Sequence, residues 1–485
     1  MSTFRSLQTV RTGLDAARRA MDIVGRNVAN ANTAGYSRQL VSFQAAEPSQ
    51  VILSAGRGIS EVNVLRYRDE FVDRQFRSRS SLQGYQETRS QQLSQAEQIL
   101  GNLSDTGLRT AMDQFFNAWQ TLATNPSQPF ARSQVVSTAE QFLSQADGSF
   151  QELKAMRTDL DTALQTKAAD INSAAGQVAD LNQAISLGNL TQQETNDLQD
   201  RRDLLLDSLA KLAGVTSAKQ SDGSVSVYLG SLPLVEKNSA HPISWKSGVE
   251  ADLDKDPALT STQQSVTTYT WNGTTTPAVF PGGEMKALME LRDQGIPDYM
   301  KTLDTLVRTV ATQVNNVHNG GDPTVPDIFT IKTNGAGQPF WMGIELNAVI
   351  RQSPDKILAG NPPSSGVPPA PGDGERARQI GNLRDAAILT GGPVGTKQVN
   401  PGEYLRSFTA QVGLQLQDAT RSSDSATLQV TQAETNRQSV SGVSLDEEMS
   451  KMVQFQQAYN ASARMMTTID DMLDLMINRT GMVGR

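Results

Sequence analysis

The stretch LQTVRTGLDAARRAMDIVGRNV, residues 7–28, decides the fold. Leu7, Leu14, Met21 and Val28 recur every seven residues, and Val10, Ala17, Val24 and Ala31 fill the second position of the same seam. So narrow a stripe suits one helix laid along another. The far end of the chain repeats the pattern. There an alternating four–three spacing picks out Leu445, Met449, Met452, Tyr459, Ala463, Met466, Leu473 and Ile477, interrupted at Gln456 and Asp470. Each interruption follows an apolar residue, Phe455 or Ile469. Residues 1–36 hold five Arg against Asp15 and Asp22, whereas residues 443–478 hold six acidic residues against Lys451 and Arg464. Such faces can pair within one chain or between neighbours. On periodicity alone two readings stand: terminal helices resting on a globular core, or an assembly subunit.

Composition narrows the class. A chain of 485 residues predicts about two to four domains. Aromatic residues are only 5% of it, and Gln, Ser, Thr, Asn and Ala dominate many segments. Burial must then come largely from helices packed through small side chains, which favours long thin helices over one dense globule. A net charge of −8, with no Lys/Arg run interleaved with aromatics, argues against nucleic acid. The lack of cysteine removes disulfides, thiol nucleophiles and thiolate metal sites, and suits an exported bacterial protein. No apolar run approaches the length of a membrane span, so no membrane insertion is expected. The Arg-rich N-terminus has the look of a transit peptide, but its heptad continues into a specific loop. It reads as retained structure.

Along the chain, Asn30, Asn32 and Gly35 offer left-handed turn geometry that ends the first helix. Residues 39–66 read as a small hairpin or two, and residues 69–101 as helix. After Asn125-Pro126 a helix of about 55 residues is expected from Ala131 to Leu187, too long for an ordinary globule. Thr191 with Glu194 predicts a capping box for the helix ending near Leu212, and Ser444 with Glu447 a second one for the last helix. Between residues 214 and 283 the pattern turns to short alternating stretches, with Asp222-Gly223 and Asn272-Gly273 as hairpin turns. Helix is expected again over 284–318 with a nick at Gly295-Ile296-Pro297, and over 376–389 and 403–439. The Pro-rich stretch 319–374 reads as a loop-rich exposed connector or small insertion. The fold class is thus mainly α with an inserted β domain, elongated, with the terminal helices paired in a coiled-coil-like layer. Its expected parts are a terminal assembly domain (1–38 and 440–485), a middle helical domain (39–213, 284–318 and 375–439) and the β insert (214–283).

Chemistry has few candidates. His241 and His318 are the two histidines, neither with another imidazole or a thiol nearby in sequence, and structural or surface roles are expected for both. Asp252, Asp254 and Asp256 begin like a calcium loop, but Pro257 stands where glycine is needed and Gln263 where the bidentate Glu belongs. A solvated acidic loop is the expectation. Residues 391–397 imitate a phosphate loop but place Thr396 before Lys397, in the wrong order. No enzyme activity, metal or cofactor is expected.

The termini and two internal stretches carry a resemblance. Residues 27–36, with Asn27, Asn30, Thr33, Gly35 and Tyr36, resemble the Asn-rich, Gly-aromatic element of flagellar axial proteins; so do residues 441–448 and 454–459. Residues 196–204, running on to Gly214-Val215, and Gly282-Gly283-Glu284 through Leu291-Arg292-Asp293 resemble the hook-associated protein 1 family in particular. The resemblance covers the termini and helical frame well, the β insert moderately and residues 319–374 hardly at all. It implies a hook–filament junction subunit that forms a ring-like homo-oligomer. The implied interface comprises Leu7, Val10, Leu14, Ala17, Met21, Val24, Val28, Leu445, Met449, Met452, Tyr459, Ala463, Met466, Leu473 and Ile477. It further implies secretion through the flagellar type III apparatus, an export chaperone, and contacts with hook protein and a second junction protein. Another axial subunit, hook protein or flagellin, is the nearest alternative. An enzyme domain such as a wall hydrolase within the insert is the alternative from another class.

Overall fold

The computed structural model describes residues 2–45, 59–101, 107–191, 193–246, 267–333, 339–362 and 369–476. Helix α1 (Ser2–Ala29) leads into an antiparallel hairpin of β1 (Gln39–Ala45) and β2 (Ile59–Arg66). Four helices follow: α2 (Glu70–Gly101), α3 (Leu108–Thr124), α4 (Pro129–Leu190) and α5 (Asn196–Ala213). Strands β3 (Thr216–Lys219), β4 (Val225–Leu229), β5 (Leu232–Glu236) and β6 (Ser239–Ala240) pair in sequence as a meander. Strands β7 (Ile243–Lys246) and β8 (Thr268–Trp271) form a separate antiparallel pair. Helices α6 (Gly283–Glu290) and α7 (Ile296–Asn319) precede a hairpin of β9 (Phe329–Thr333) and β10 (Pro339–Leu346). Short helices α8 (Ala348–Gln352) and α9 (Glu375–Asn382) then lead to α10 (Pro401–Ser441) and α11 (Leu445–Asp474). The mainly helical class with an inserted β region is the one the sequence indicates.

Helix α4 is the spine. Pro129 sits at its first turn, where a missing N–H costs nothing, and no proline interrupts the 62 residues. Its buried positions advance by three or four residues from Val135 to Ile185, so one stripe faces α3, α5, α6 and α7. One end carries an aromatic cluster in which Phe115 lies 5.9 Å from Phe142 and 5.7 Å from Phe329 between ring centroids. Toward the other end the stripe thins to Ala168, Ile171, Ala174, Ala175, Val178 and Ala179.

A second long pair, α2 with α10, runs antiparallel. Arg79 donates to Gln429 (2.8 Å) and Gln83 to Thr427 (3.4 Å), while the Ser90 and Thr420 hydroxyls lie 3.1 Å apart. Its α10 seam is Leu405, Val412, Ala419, Ala426 and Ala433, every seven residues, thinning to alanine along its second half. Small side chains let the two backbones approach closely.

The strands are attached by a recurring device. Asn27, Asn172, Asn182 and Asn315 each accept from the N–H and donate to the C=O of a single strand residue. The partners are Gln39 (3.0 and 2.9 Å), Ile243 (2.8 and 2.7 Å), Val225 (3.0 and 2.8 Å) and Phe329 (2.9 and 2.7 Å). A carboxamide offers one acceptor and two donors, so it mimics a neighbouring peptide and closes the strand edge against a helix. A chain poor in aromatics thereby docks its strands by polar pairing as well as by apolar area.

Several expectations need correction. The stretch 319–374 is not simply a loop-rich exposed connector, because it holds the β9–β10 hairpin and buries Ile328, Phe329, Ile344, Leu346 and Ile350. Neither capping box forms: the Thr191 hydroxyl donates back to Leu187 O and Glu194 pairs with Arg26, while Glu447 pairs with Arg38 and Ser444 makes no side-chain cap. The nick before Pro297 is a π-helical turn, Leu291–Gly295. At that turn the Arg292 carbonyl accepts from Arg157 Nε at 3.0 Å. Of the three turn residues after α1, Gly35 alone takes a positive φ, 79°. Helix α9 stops at Asn382, short of the expected Leu389. The acidic loop around Asp252, Asp254, Asp256 and Gln263 lies outside the described residues.

The entry and exit of the β region touch. Gly214 (φ 67°) and Gly283 (φ 74°) hold left-handed turns. A Cβ on the first would fall 2.8 Å from Gly282 N, and one on the second 2.6 Å from the Leu212 backbone. Only glycine lets the two turns close on each other.

Candidate functional site

Helices α1 and α11 pack antiparallel. Asn27 donates to Glu448 at 2.8 Å, and a Cβ on Gly13 would lie 3.5 Å from Ser462 Oγ, so both contacts fit one register. The stripe of α1 that is covered comprises Val10, Ala16, Ala17, Ala20, Ile23, Val24 and Asn27. Of the expected seam, Val10, Ala17 and Val24 are therefore buried, whereas Leu7, Leu14, Met21 and Val28 are half-buried on its flank. On α11, Met452, Tyr459, Ala463, Met466 and Leu473 are half-buried, Leu445 and Met449 are each 52% exposed, and Ile477 lies outside the described residues. The seven-residue spacing passed over Ala16, Ala20 and Ile23. The signal lay in the small residues Ala16, Ala17 and Ala20, which sit in the covered stripe with Leu14 and Met21 on its flank.

The apolar band is thus wider than one partner helix covers. At about 100° per residue, the Leu7–Leu14–Met21–Val28 row lies roughly a quarter-turn from the covered stripe. Rotation runs in opposite senses on antiparallel helices, so Leu445, Met449 and Val453 open on the same side as that row. Met465 and Met472 open on the opposite side. All five of these α11 residues are between 49% and 58% exposed.

A polar joint fixes the pair to the remainder. The Asn27 amide, 1% exposed, receives Tyr36 OH at 2.8 Å in addition to its bonds with Gln39 and Glu448. Arg38 clasps Glu448 (2.9 Å from Nε) and Glu447 (2.6 Å), and its backbone N–H donates to Ser441 O. The motif residues between serve this hub. Asn30 donates to Arg26 O at 3.0 Å, Thr33 to Asn30 Oδ1 at 3.2 Å, and Gly35 leaves room for Leu204, whose Cγ would lie 2.4 Å from an added Cβ.

Beyond the hub runs a ladder of charges. Asp200, Asp203 and Asp207 are spaced by three and four residues, on one face of α5. Ser37 Oγ donates to Asp200 (2.7 Å), Arg66 bridges Asp200 and Asp203 (2.6 Å each), and Arg68 reaches Asp203 (3.1 Å) and Asp73 (2.6 Å). Arg77 joins Asp203 (3.3 Å) to Asp207 (2.7 Å), and Arg437 of α10 completes the row on Asp207 at 2.5 Å, with its guanidinium over the Phe76 ring. The terminal hairpin, α2, α5 and α10 meet here. Sequence reading saw residues 196–204 as a helix delivering the chain to the β region and missed the acidic face. The three-four spacing of aspartates was the available signal.

Titration follows the packing. Burial is the largest influence on Asp203, but Arg68, Arg66 and Arg77 outweigh it and hold the carboxyl below its ordinary value. At Asp200 burial wins over Arg66 and Ser37, and the carboxyl lies above its ordinary value. Burial, then Asp200 and Asp197, push the Tyr36 phenol up to about 12. His318 is fully buried, with Nδ1–H on Pro326 O (3.1 Å) and Nε2 accepting from Leu358 N–H (3.0 Å). Burial and then Arg376 push it down to about 4, so the ring is a neutral structural clasp. His241 is exposed.

Comparison with known proteins agrees with this architecture. The family model "Flagellar hook-associated protein FlgK helical domain" matches residues 93–338. Models for the flagellar basal body rod FlgEFG protein C-terminal region and for the flagella basal body rod protein match residues 435–479 and 7–36. Flagellar hook-associated protein 1 of Bacillus subtilis is 29% identical over the full length of both chains, and that of Escherichia coli is 24% identical over 97% of this chain and 99% of its own. The flagellar hook junction protein FlgK from Burkholderia pseudomallei shares the fold, with a TM-score of 0.61 at 17% identity, over 76% of this chain and all of that one. With a helical-domain match spanning half its length, the chain belongs to the flagellar hook-associated protein FlgK family.

Proposed function

We propose that the chain is a structural subunit joining hook to filament in the bacterial flagellum, and that it assembles through the flanks of its terminal helix pair. The observation that carries this reading is the pair of apolar flanks on opposite sides of α1 and α11, left open in a single chain. Copies arranged side by side can each cover a neighbour's flank, and a heterologous contact of this kind gives a ring when the rotation between copies closes. Membership of a flagellar structural family supports the reading. In this proposal residues 1–38 and 440–485 form the assembly layer. Residues 39–213, 284–318 and 375–439 form a surrounding helical layer. The β region, 214–283, faces outward. Hook protein and a second junction protein bind its two ends, a chaperone holds it before type III export, and its role is mechanical rather than catalytic.

Electron microscopy of cells lacking the chain tests the assignment. Hooks without filaments are expected, and normal filaments on those hooks would refute it.

A further inference from the structure

Six of the chain's 15 methionines fall between residues 445 and 476, and cysteine is absent, so oxidisable sulfur is concentrated on α11 and the turn after it. Their settings differ. Met449, Met465 and Met472 are 52%, 58% and 50% exposed, the first on one open flank of the pair and the other two on the opposite flank. Met112, Met285 and Met300 lie in the core at 2% exposure or less. Leucine would fill an apolar flank equally well. Methionine adds flexible packing against more than one neighbour and, with it, a reactive thioether.

We propose that Met449, Met465 and Met472 make the two open flanks oxidation-sensitive and that their oxidation takes the unassembled subunit out of assembly. This rests on the interface reading given above. The oxidant is a peroxide: the thioether sulfur attacks one peroxide oxygen, the O–O bond breaks, sulfur gains the oxygen as a sulfoxide, and hydrogen peroxide leaves as water. The sulfur loses two electrons and the peroxide gains them. A flank that must be dehydrated against a neighbour then carries strong, unpaired S=O dipoles. Once the flank is covered by a neighbour the same sulfurs are out of reach, so sensitivity belongs to the free chain.

The test treats the purified full chain with hydrogen peroxide, removes the peroxide, maps sulfoxides by mass spectrometry and offers the protein to hooks isolated from cells lacking it. Sulfoxide should form at the three flank positions on the order of tenfold faster than at Met112, Met285 and Met300. Binding to hooks should fall in parallel and return after methionine sulfoxide reductase treatment, whereas in the triple variant Met449→Leu, Met465→Leu, Met472→Leu peroxide should leave binding at that variant's own untreated level. Full binding by a chain oxidised at these positions overturns the proposal, as does oxidation no faster than in the core. Leu14→Asp without peroxide separates the two readings. If that variant binds hooks normally, the interface itself is wrong. If it fails while the oxidised chain binds, only the oxidation proposal is lost.

Discussion

Two antiparallel helix pairs in this molecule are built alike and finished differently. Both α2–α10 and α1–α11 use small residues at their seam, Ala419, Ala426 and Ala433 in one, Gly13, Ala16 and Ala20 in the other. The edges of the α2–α10 seam are crossed by Arg79–Gln429 and Gln83–Thr427, and its outward face shows isolated leucines, Leu414 and Leu428. The α1–α11 pair instead carries apolar rows along its flanks and a ladder of buried charges at its base. One pair is complete in the single chain. In the proposed assembly the other is completed by neighbours; single exposed leucines need no explanation, whereas contiguous rows do.

The comparison is broken most sharply by placing the same charge on each pair. Leu14→Asp should abolish incorporation while the melting of the helical core stays unchanged, because a carboxylate on the flank must be desolvated without a partner. Leu428→Asp should incorporate normally. Equal behaviour of the two variants, read by binding to isolated hooks, removes the distinction between the pairs.

The joint should be next in effect. Asp203→Ala leaves Arg66, Arg68 and Arg77 short of a shared carboxylate in a buried setting, which predicts a loss of about 3–5 kcal/mol in denaturant unfolding. A loss no larger than a surface pair's would mean the ladder is well hydrated. Asn182→Asp keeps the shape but replaces the amide donor that serves Val225 O and Lys237 O, at an expected cost of about 2–3 kcal/mol.

Acid provides a finer probe. The folded His318 titrates at about 4, below an ordinary value of about 6.5. Its contribution is therefore complete above the ordinary value and is lost as pH falls from there toward 4, by about 3 kcal/mol at most. His318→Gln should flatten stability across that window, even though it lowers stability at neutral pH. An unchanged slope in the variant would place the acid sensitivity elsewhere. Smallest of all, Gly35→Ala must adopt φ 79° against Leu204 and should cost about 1–2 kcal/mol in thermal unfolding.

Much of this was legible in the sequence where a single periodicity governs. The long α4, the nick before Pro297 and the bracketed β region follow from proline, glycine and apolar spacing. The terminal pair was legible in part: Val10, Ala17 and Val24 fit a heptad, but which of two adjacent stripes is covered depends on how α11 seats on α1, where Ala16, Ala20 and Ile23 are also buried. Of the polar joint only the acidic face is written in the sequence, in the three-four spacing of Asp200, Asp203 and Asp207; its partners Arg66, Arg77 and Arg437 arrive from distant segments. The asparagine–strand pairs were hidden for the same reason. A carboxamide on a helix gives no sign of the peptide it will meet. The β9–β10 hairpin was obscured by the Pro-rich stretch that follows it.

The central claim is that the flanks of α1–α11 are covered in the flagellum and those of α2–α10 are not. The chain has no cysteine of its own, so Met449→Cys and Leu428→Cys each provide a single reporter, at positions 52% and 71% exposed in the free chain. Labelling with a maleimide, in the free protein and in isolated flagella, compares them directly. The account predicts that both cysteines react in the free chain and that position 449 alone becomes protected on assembly. Reaction at 449 as fast in flagella as in solution would contradict it.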